Sequence, residues 1–120
     1  MITAEKTNPI LIIDDEIQIL KLLAKSLMKD GYSVEFADDG EKGIDKIKSN
    51  KYSLVFTDLK MPGISGKEVL KYIRNIQNKL TPVVGMSGTP WLLQQNDFDA
   101  VLVKPFSIKE FLRVTRQFAA

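Results

Sequence analysis

The stretch Val55-Phe56-Thr57-Asp58-Leu59-Lys60-Met61-Pro62-Gly63 decides the fold, because an apolar run ends in a single acid and a proline–glycine turn follows. A run of β-branched and aromatic residues like this one is typical of a strand buried on both faces. In an open parallel α/β sheet, ligands bind in the crevice beyond the carboxyl ends of the strands. We therefore expect the carboxylate of Asp58 to lie where chemistry occurs, as a nucleophile, a metal ligand or a helix cap.

Strand and helix patterns alternate on both sides of this stretch. The predicted strands cover residues 10–13, 34–37, 52–57, 81–86 and 100–103, and helical periodicity follows each of them. Continuous apolar strands separated by helices predict right-handed βαβ units around one parallel five-stranded sheet. No repeat, linker or low-complexity tract interrupts the pattern. The sequence therefore predicts an α/β fold in a single domain, 1–120, with its core at about residues 8–118.

The helical periodicity also predicts which side chains face the sheet. Ser65 with Glu68, and Ser107 with Glu110, match the capping box that begins a helix. The fourth helix is expected to be short, about two turns, because Asn96 soon interrupts its apolar pattern. The expected buried residues are Ile17, Leu20, Ala24, Leu27 and Met28 in the first helix, Val69, Ile73 and Ile76 in the third, and Trp91, Leu92 and Leu93 in the fourth.

The composition excludes several classes of function. The chain has 120 residues, a formal net charge of +2, no cysteine and no histidine. The lack of both residues excludes disulfides, thiolate sites and the commonest transition-metal ligand. The weak positive charge predicts neither a nucleic-acid nor a membrane surface. The N-terminus lacks the charge and apolar order of a signal peptide, so we expect a cytoplasmic protein.

The ends of the predicted parallel strands bring together one group of polar residues: Asp14, Asp15, Asp58, Ser87 and Lys104. Three adjacent carboxylates raise one another's pKa unless a cation offsets their charge. Three carboxylates and one ammonium leave a formal charge of −2, which one divalent cation neutralises, and an all-oxygen site suits Mg²⁺. Beside Mg²⁺, the carboxylate of Asp58 is a candidate nucleophile for a phosphoryl group, with Ser87 and Lys104 as its donor and counter-charge.

A plainer reading of the first acids is also open. Asp15 with Gln18 fits a capping box for the first helix. Capping needs one acid whereas the sequence supplies three in a row, so the metal site is the favoured interpretation.

Four segments carry a resemblance to a known family. The segments 12–16, 57–66, Met86-Ser87-Gly88 and Lys104-Pro105-Phe106 resemble the receiver domains of bacterial two-component response regulators, in the right order and over almost the whole chain. The resemblance implies a flavodoxin-like fold with strand order 2-1-3-4-5. It also implies a cis peptide bond between Lys104 and Pro105.

The resemblance further implies the chemistry and the partners. Asp58 would take a phosphoryl group from the phosphohistidine of a sensor histidine kinase or a histidine phosphotransfer protein. Mg²⁺ would be held by Asp14, Asp15, Asp58 and the backbone carbonyl of Lys60, while Ser87 and Lys104 would bind the phosphoryl oxygens. Such a domain is a signalling module rather than an enzyme, and it switches binding to an effector domain or a downstream protein. No effector domain is expected in this chain, and no direct contact with nucleic acid.

Two departures and three alternatives accompany this reading. Val101 stands where the family often has an aromatic residue, and the fourth helix is shorter by about one turn. A degenerate receiver that serves only as a phosphorylation-independent interaction module is the first alternative. A Mg²⁺-dependent hydrolase of the haloacid dehalogenase type is the second, but Lys60 occupies the place of its second acid. A flavodoxin that binds FMN is the third, and the acids 14–16 would repel its phosphate.

Overall fold

The described part of the chain contains five strands and four α-helices, and no helix is described between the fourth and fifth strands, where residues 90–96 lie outside the described ranges. The computed structural model describes residues 8–77, 79–89 and 97–119. The elements are β1 (Ile10–Ile13), α1 (Ile17–Lys29), β2 (Val34–Ala37), α2 (Gly40–Ser49), β3 (Leu54–Asp58), α3 (Gly66–Lys71), a π-helical turn (Tyr72–Ile76), β4 (Val83–Ser87), β5 (Ala100–Val103) and α4 (Ile108–Phe118).

The strands form one parallel sheet with the order β2-β1-β3-β4-β5. The predicted α/β architecture and its 2-1-3-4-5 order are confirmed. Ile13 pairs with Thr57, Asp58 with Met86, and Ser87 with Val103. Because parallel strands point the same way, this register brings the carboxyl ends of β1, β3, β4 and β5 to one edge of the sheet.

The sheet separates two apolar clusters. β1 and β3 are buried along their whole length, which explains why both read as continuous apolar runs. Alternate residues of each strand enter different clusters, since successive side chains point to opposite faces. One cluster includes Leu11, Ile13 and Val55 with residues of α2 and α3, and the other includes Ile10, Ile12 and Phe56 with residues of α1 and α4.

The buried face of α1 is only partly as predicted. Its buried residues are Leu20, Leu23, Ala24 and Leu27. The expectation that Ile17 and Met28 are buried is wrong, because they are 50% and 56% exposed. At about 100° per residue, both lie beyond Ala24 on the flank of the apolar stripe, and Leu23 packs on the opposite flank.

The third helix departs from the prediction at its end. Val69 and Ile73 are buried, as expected, but Ile76 is 71% exposed. The backbone N–H of Gln77 donates to the carbonyl of Tyr72, five residues earlier, at 3.0 Å. This wider π-helical turn rotates Ile76 away from the sheet, so the prediction from a 3.6-residue period is wrong at this position.

The helix starts test the capping predictions. The hydroxyl of Ser65 accepts a hydrogen bond from the N–H of Glu68 at 3.3 Å, and Ser107 accepts one from Glu110 at 3.0 Å. The alternative in which Asp15 and Gln18 cap α1 is wrong, because Glu16 is the N-cap residue and its side chain makes no capping hydrogen bond. The predicted short fourth helix, with Trp91, Leu92 and Leu93, lies outside the described residues.

No helix within the described ranges is long and apolar enough to span a membrane.

Candidate functional site

Asp14 follows directly after β1 and is fully buried. Its N–H donates to the carbonyl of Ala37 at 3.1 Å, so the backbone continues the pairing of β1 with β2 by one residue. One carboxylate oxygen, Oδ1, accepts the N–H of Glu16 at 3.0 Å, and the other, Oδ2, accepts from Lys104 Nζ at 2.8 Å. Both oxygens of this buried carboxylate therefore have fixed partners.

Asp58 is the last residue of β3 and is 6% exposed. Its Oδ1 accepts the N–H of Leu59 at 3.0 Å, and its Oδ2 lies 3.6 Å from Lys104 Nζ. Gly66 packs directly behind it, since a Cβ at that position would collide with the carbonyl oxygen of Asp58. The carboxylate is thus held by its own strand end and the start of α3, with Oδ2 turned toward the lysine.

Lys104 follows β5 and joins these acids to the other side of the site. Its ammonium lies 2.8 Å from Asp14, 3.4 Å from Glu16 and 3.6 Å from Asp58. Its backbone N–H donates to the carbonyl of Ser87 at 2.9 Å, which links the ends of β4 and β5. The peptide bond from Lys104 to Pro105 is cis, as the resemblance implied.

The close packing of these charged groups shifts the pKa values of Asp58 and Lys104. Burial raises the pKa of Asp58 to about 6; the Lys104 charge opposes this shift, and the charges of Asp14 and Asp15 add to it. Burial alone would lower the pKa of Lys104, but the hydrogen bond to Asp14 and the neighbouring carboxylates outweigh it and raise that pKa. The site therefore holds more negative charge than one lysine offsets.

The side chains of the three acids that follow β1 do not all lie in the same place. Among the described residues, Asp14, Glu16 and Asp58 each bring a carboxylate oxygen to within 4.8 Å of the others. Asp15 is exposed and lines a cavity of about 280 Å³ with other acids and the turn 62–64. Glu16 has an extended backbone, with φ −90° and ψ 98°, and residues two apart in an extended chain share a side. Sequence reasoning named Asp15 and missed Glu16, which the same alternation indicates.

Two further predicted site residues lie at the ends of neighbouring strands. Ser87 is the last residue of β4 and is buried, and its Oγ accepts the N–H of Thr89 at 3.0 Å. Lys60 is exposed and lies two residues after Asp58. The role of its backbone carbonyl as a metal ligand stays a prediction.

The donor set fits a hard cation. The cluster of Asp14, Glu16 and Asp58 offers carboxylate oxygens, and the whole chain contains no histidine or cysteine. Oxygen ligands of this kind suit Mg²⁺, which is bound by one or two carboxylates while it keeps several waters. A divalent cation would also offset the repulsion that raises the pKa of Asp58.

Comparison with known proteins defines the class to which this fold and site belong. The family model described as "Response regulator receiver domain" matches residues 10–116, which is most of the chain. The chain belongs to the response regulator receiver domain family, and it is a receiver domain of the two-component signalling type.

Individual relatives agree with this assignment. The chain is 37% identical over 111 residues to the response regulator ArlR of Staphylococcus haemolyticus, an alignment that covers 88% of this chain and 50% of that protein. It is 35% identical to the uncharacterized transcriptional regulatory protein YkoG of Bacillus subtilis, over 86% of this chain and 47% of that protein. The chain thus spans about half the length of the curated relatives that it matches.

Solved structures confirm the flavodoxin-like arrangement. The chemotaxis response regulator CheY4 of Vibrio cholerae superposes with a TM-score of 0.85 at 28% identity, over 93% of this chain and 98% of that one. The response regulator TrrA of Thermotoga maritima, solved in complex with Mg(2+)-BeF, superposes with a TM-score of 0.83 at 30% identity, over 92% of this chain and 98% of that one.

Proposed function

We propose that Asp58 is the phosphoacceptor of this receiver domain. Its Oδ2 attacks the phosphorus of a phosphohistidine on a sensor histidine kinase or histidine phosphotransfer protein. The new P–O bond forms as the P–N bond breaks, and the imidazole leaves with its electron pair. The observation that carries the proposal is the ammonium of Lys104, 3.6 Å from Asp58 Oδ2, because it places a counter-charge beside the attacking oxygen.

The other residues serve the same transfer. Leu59 N–H holds Oδ1 of Asp58 at 3.0 Å, which leaves Oδ2 as the reacting oxygen. We propose that Lys104 and the Ser87 hydroxyl bind the phosphoryl oxygens, for which the hydroxyl must give up the hydrogen bond that it donates to the carbonyl of Thr89 at 3.3 Å. Positioning and charge stabilisation supply most of the rate in such transfers, so no histidine in this chain is needed.

A metal completes the proposed site. Mg²⁺ would be held by Asp14, Asp15, Asp58 and the carbonyl of Lys60, and it would shield the incoming phosphoryl group from the carboxylates. The fit rests on the oxygen-only donor set and on the surplus of negative charge at the site.

The proposed output is a change of partner. A phosphoryl group adds about −1.5 to −2 charge and biases two conformations of the surrounding loops. Since the chain is a response regulator receiver domain, we propose that an effector domain or a downstream protein receives this change.

Two other functions are less well supported. An interaction module independent of phosphorylation would have no use for the two buried carboxylates of Asp14 and Asp58 beside Lys104, because burying charged groups costs stability. A phosphomonoester hydrolase of the haloacid dehalogenase type wants a second acid at position 60, where the chain has an exposed lysine.

The test is incubation with MgCl₂ and acetyl phosphate, followed by intact-mass measurement. We expect a single phosphoryl adduct that is absent with EDTA and absent in Asp58→Asn. The matched control is Asp45→Asn, an exposed acid in the middle of α2, which should be modified like the parent. An adduct in Asp58→Asn, or none in the parent, would refute the proposal, and continuous turnover of a phosphomonoester would favour the hydrolase.

A further inference from the structure

The ammonium of Lys104 is shared unequally between three carboxylates. It is hydrogen-bonded to Asp14 at 2.8 Å and to Glu16 at 3.4 Å, and it lies 3.6 Å from the phosphoacceptor Asp58. Of the three, Asp14 and Asp58 are buried, whereas the Glu16 side chain is 59% exposed. Glu16 therefore contacts the lysine from the solvent side of the site.

The carboxylate of Glu16 does not cap the helix that Glu16 begins. Glu16 is the N-cap residue of α1, and its side chain makes no capping hydrogen bond. The neighbouring Asp14 instead satisfies a backbone donor there, through the N–H of Glu16 at 3.0 Å. A change of Glu16 to an uncharged residue therefore removes its contact with Lys104 and a negative charge at the start of α1, but no capping hydrogen bond.

We propose that Glu16 is a positioning residue that draws the ammonium of Lys104 to the outer side of the site and keeps it from pairing closely with Asp58. The proposal rests on the phosphoacceptor function above and deepens it. With Glu16 charged, the lysine divides its positive charge among three acids, so the negative charge of Asp58 stays available to a cation. Without that charge, Asp14 and Asp58 are the carboxylates of the described residues that remain within 4.0 Å of the lysine, and they draw it into the space where a cation is expected.

The first consequence concerns Mg²⁺ affinity. In Glu16→Gln, the ammonium of Lys104 moves inward and opposes the binding of a divalent cation. Because Glu16 is largely exposed, we expect a modest effect, an increase of about threefold in the dissociation constant for Mg²⁺. Isothermal titration calorimetry with MgCl₂ alone measures it, without any phosphoryl donor.

Two matched variants bracket this change. Glu110→Gln removes an exposed glutamate from the first turn of α4, another helix start, and should leave the Mg²⁺ dissociation constant at the parent value. Glu16→Asp keeps the charge on a shorter side chain and should restore part of the affinity. Urea unfolding of Glu16→Gln checks that α1 is intact.

A double-mutant cycle separates an action through Lys104 from direct ligation of the metal. In a Lys104→Met background there is no ammonium to position, so Glu16→Gln should change the Mg²⁺ dissociation constant by far less than threefold. A loss of affinity that persists or grows in that background would overturn the proposal, because it would make Glu16 a direct partner of the cation.

A spectroscopic readout follows the lysine itself. In the cation-free protein, the side-chain ¹³Cε resonance of Lys104 should shift in Glu16→Gln and stay at the parent position in Glu110→Gln. An unmoved resonance would contradict the inference. If the parent protein forms no adduct at Asp58, the proposed function fails, whereas an adduct combined with an unchanged Mg²⁺ affinity in Glu16→Gln refutes the positioning role alone.

Discussion

Replacing Gly66 by alanine tests the close packing of α3 behind Asp58, the proposed phosphoacceptor. Gly66 is the first residue of α3, and its N–H donates to the carbonyl of Leu59 at 3.1 Å. A Cβ there would collide with the carbonyl oxygen of Asp58 and lie 2.9 Å from the Cα of Leu59. Both obstacles are backbone atoms, so no side-chain rotation relieves them, and the start of α3 must move away from β3.

The size of the effect follows from these contacts. Carbon atoms pack at about 3.5–4.0 Å, so the helix start must shift by at least about 0.6 Å. Overpacking of this kind costs about 1–3 kcal/mol, and a clash with rigid backbone belongs at the upper end. Alanine regains less than about 1 kcal/mol of helix propensity. We therefore expect Gly66→Ala to lower the free energy of unfolding by about 2 kcal/mol.

Urea unfolding followed by circular dichroism measures this loss. With an m-value of about 1.5 kcal/mol/M, the midpoint should fall by more than about 1 M. Gly88→Ala is the matched control, because the nearest atom to its new Cβ is the Cβ of Lys104 at an ordinary 3.9 Å. The variant should also form less phosphoryl adduct, since Asp58 is displaced with the strand end. Equal midpoints for the parent and Gly66→Ala would refute this reasoning.

Three further predictions concern the core, an ionisable pair and the site. Phe111 is fully buried, and the centroid of its ring lies 4.7 Å from that of Phe56. Phe111→Ala should therefore lower the free energy of unfolding in urea by about 3–5 kcal/mol, and a decrease below about 1 kcal/mol would contradict its place in the core. Burial and a 2.7 Å hydrogen bond to Glu35 raise the pKa of Tyr52. The neutral phenol therefore contributes to folding stability below about pH 10, and this contribution is lost as the pH rises above about 10 and the phenol ionises. An ultraviolet titration should show one tyrosine that ionises at a higher pH than the others and that is missing in Tyr52→Phe. Burial raises the pKa of Asp58 to about 6, so its charged form is disfavoured in the folded state and stability falls as the pH rises from about 4 through 6. Urea unfolding at pH 7 in EDTA should therefore show Asp58→Asn to be more stable than the parent by about 1–3 kcal/mol. A less stable variant would contradict this.

The sheet was predictable because its central strands are buried on both faces. β1 and β3 read as unbroken apolar runs, and each ends in an acid that marks the edge of the sheet. The exposure of Ile76 was not predictable in the same way, since a π-helical turn changes the period on which the prediction depends. Local capping was predictable at Ser65, whose hydroxyl needs only the backbone N–H three residues on.

The composition of the site was predictable, but its geometry at the start of α1 was not. Residue types at the strand ends indicated Asp14, Asp58 and Lys104, and the structure brings these three together. Whether Asp15 or Glu16 turns toward Lys104 depends on how the chain leaves β1. The backbone at Glu16 is still extended, so the strand alternation continues past residue 13, where the predicted strand ends.

Successive residues of β3 lie in different apolar clusters, with Val55 in one and Phe56 in the other. Since close-packed interiors transmit strain, a displacement of this strand along its axis would reach the helices on the front and the back of the molecule together. If Asp58 takes a phosphoryl group as proposed, strain at the end of β3 would therefore reach two opposite surfaces, and a partner that binds either surface would respond to the same modification.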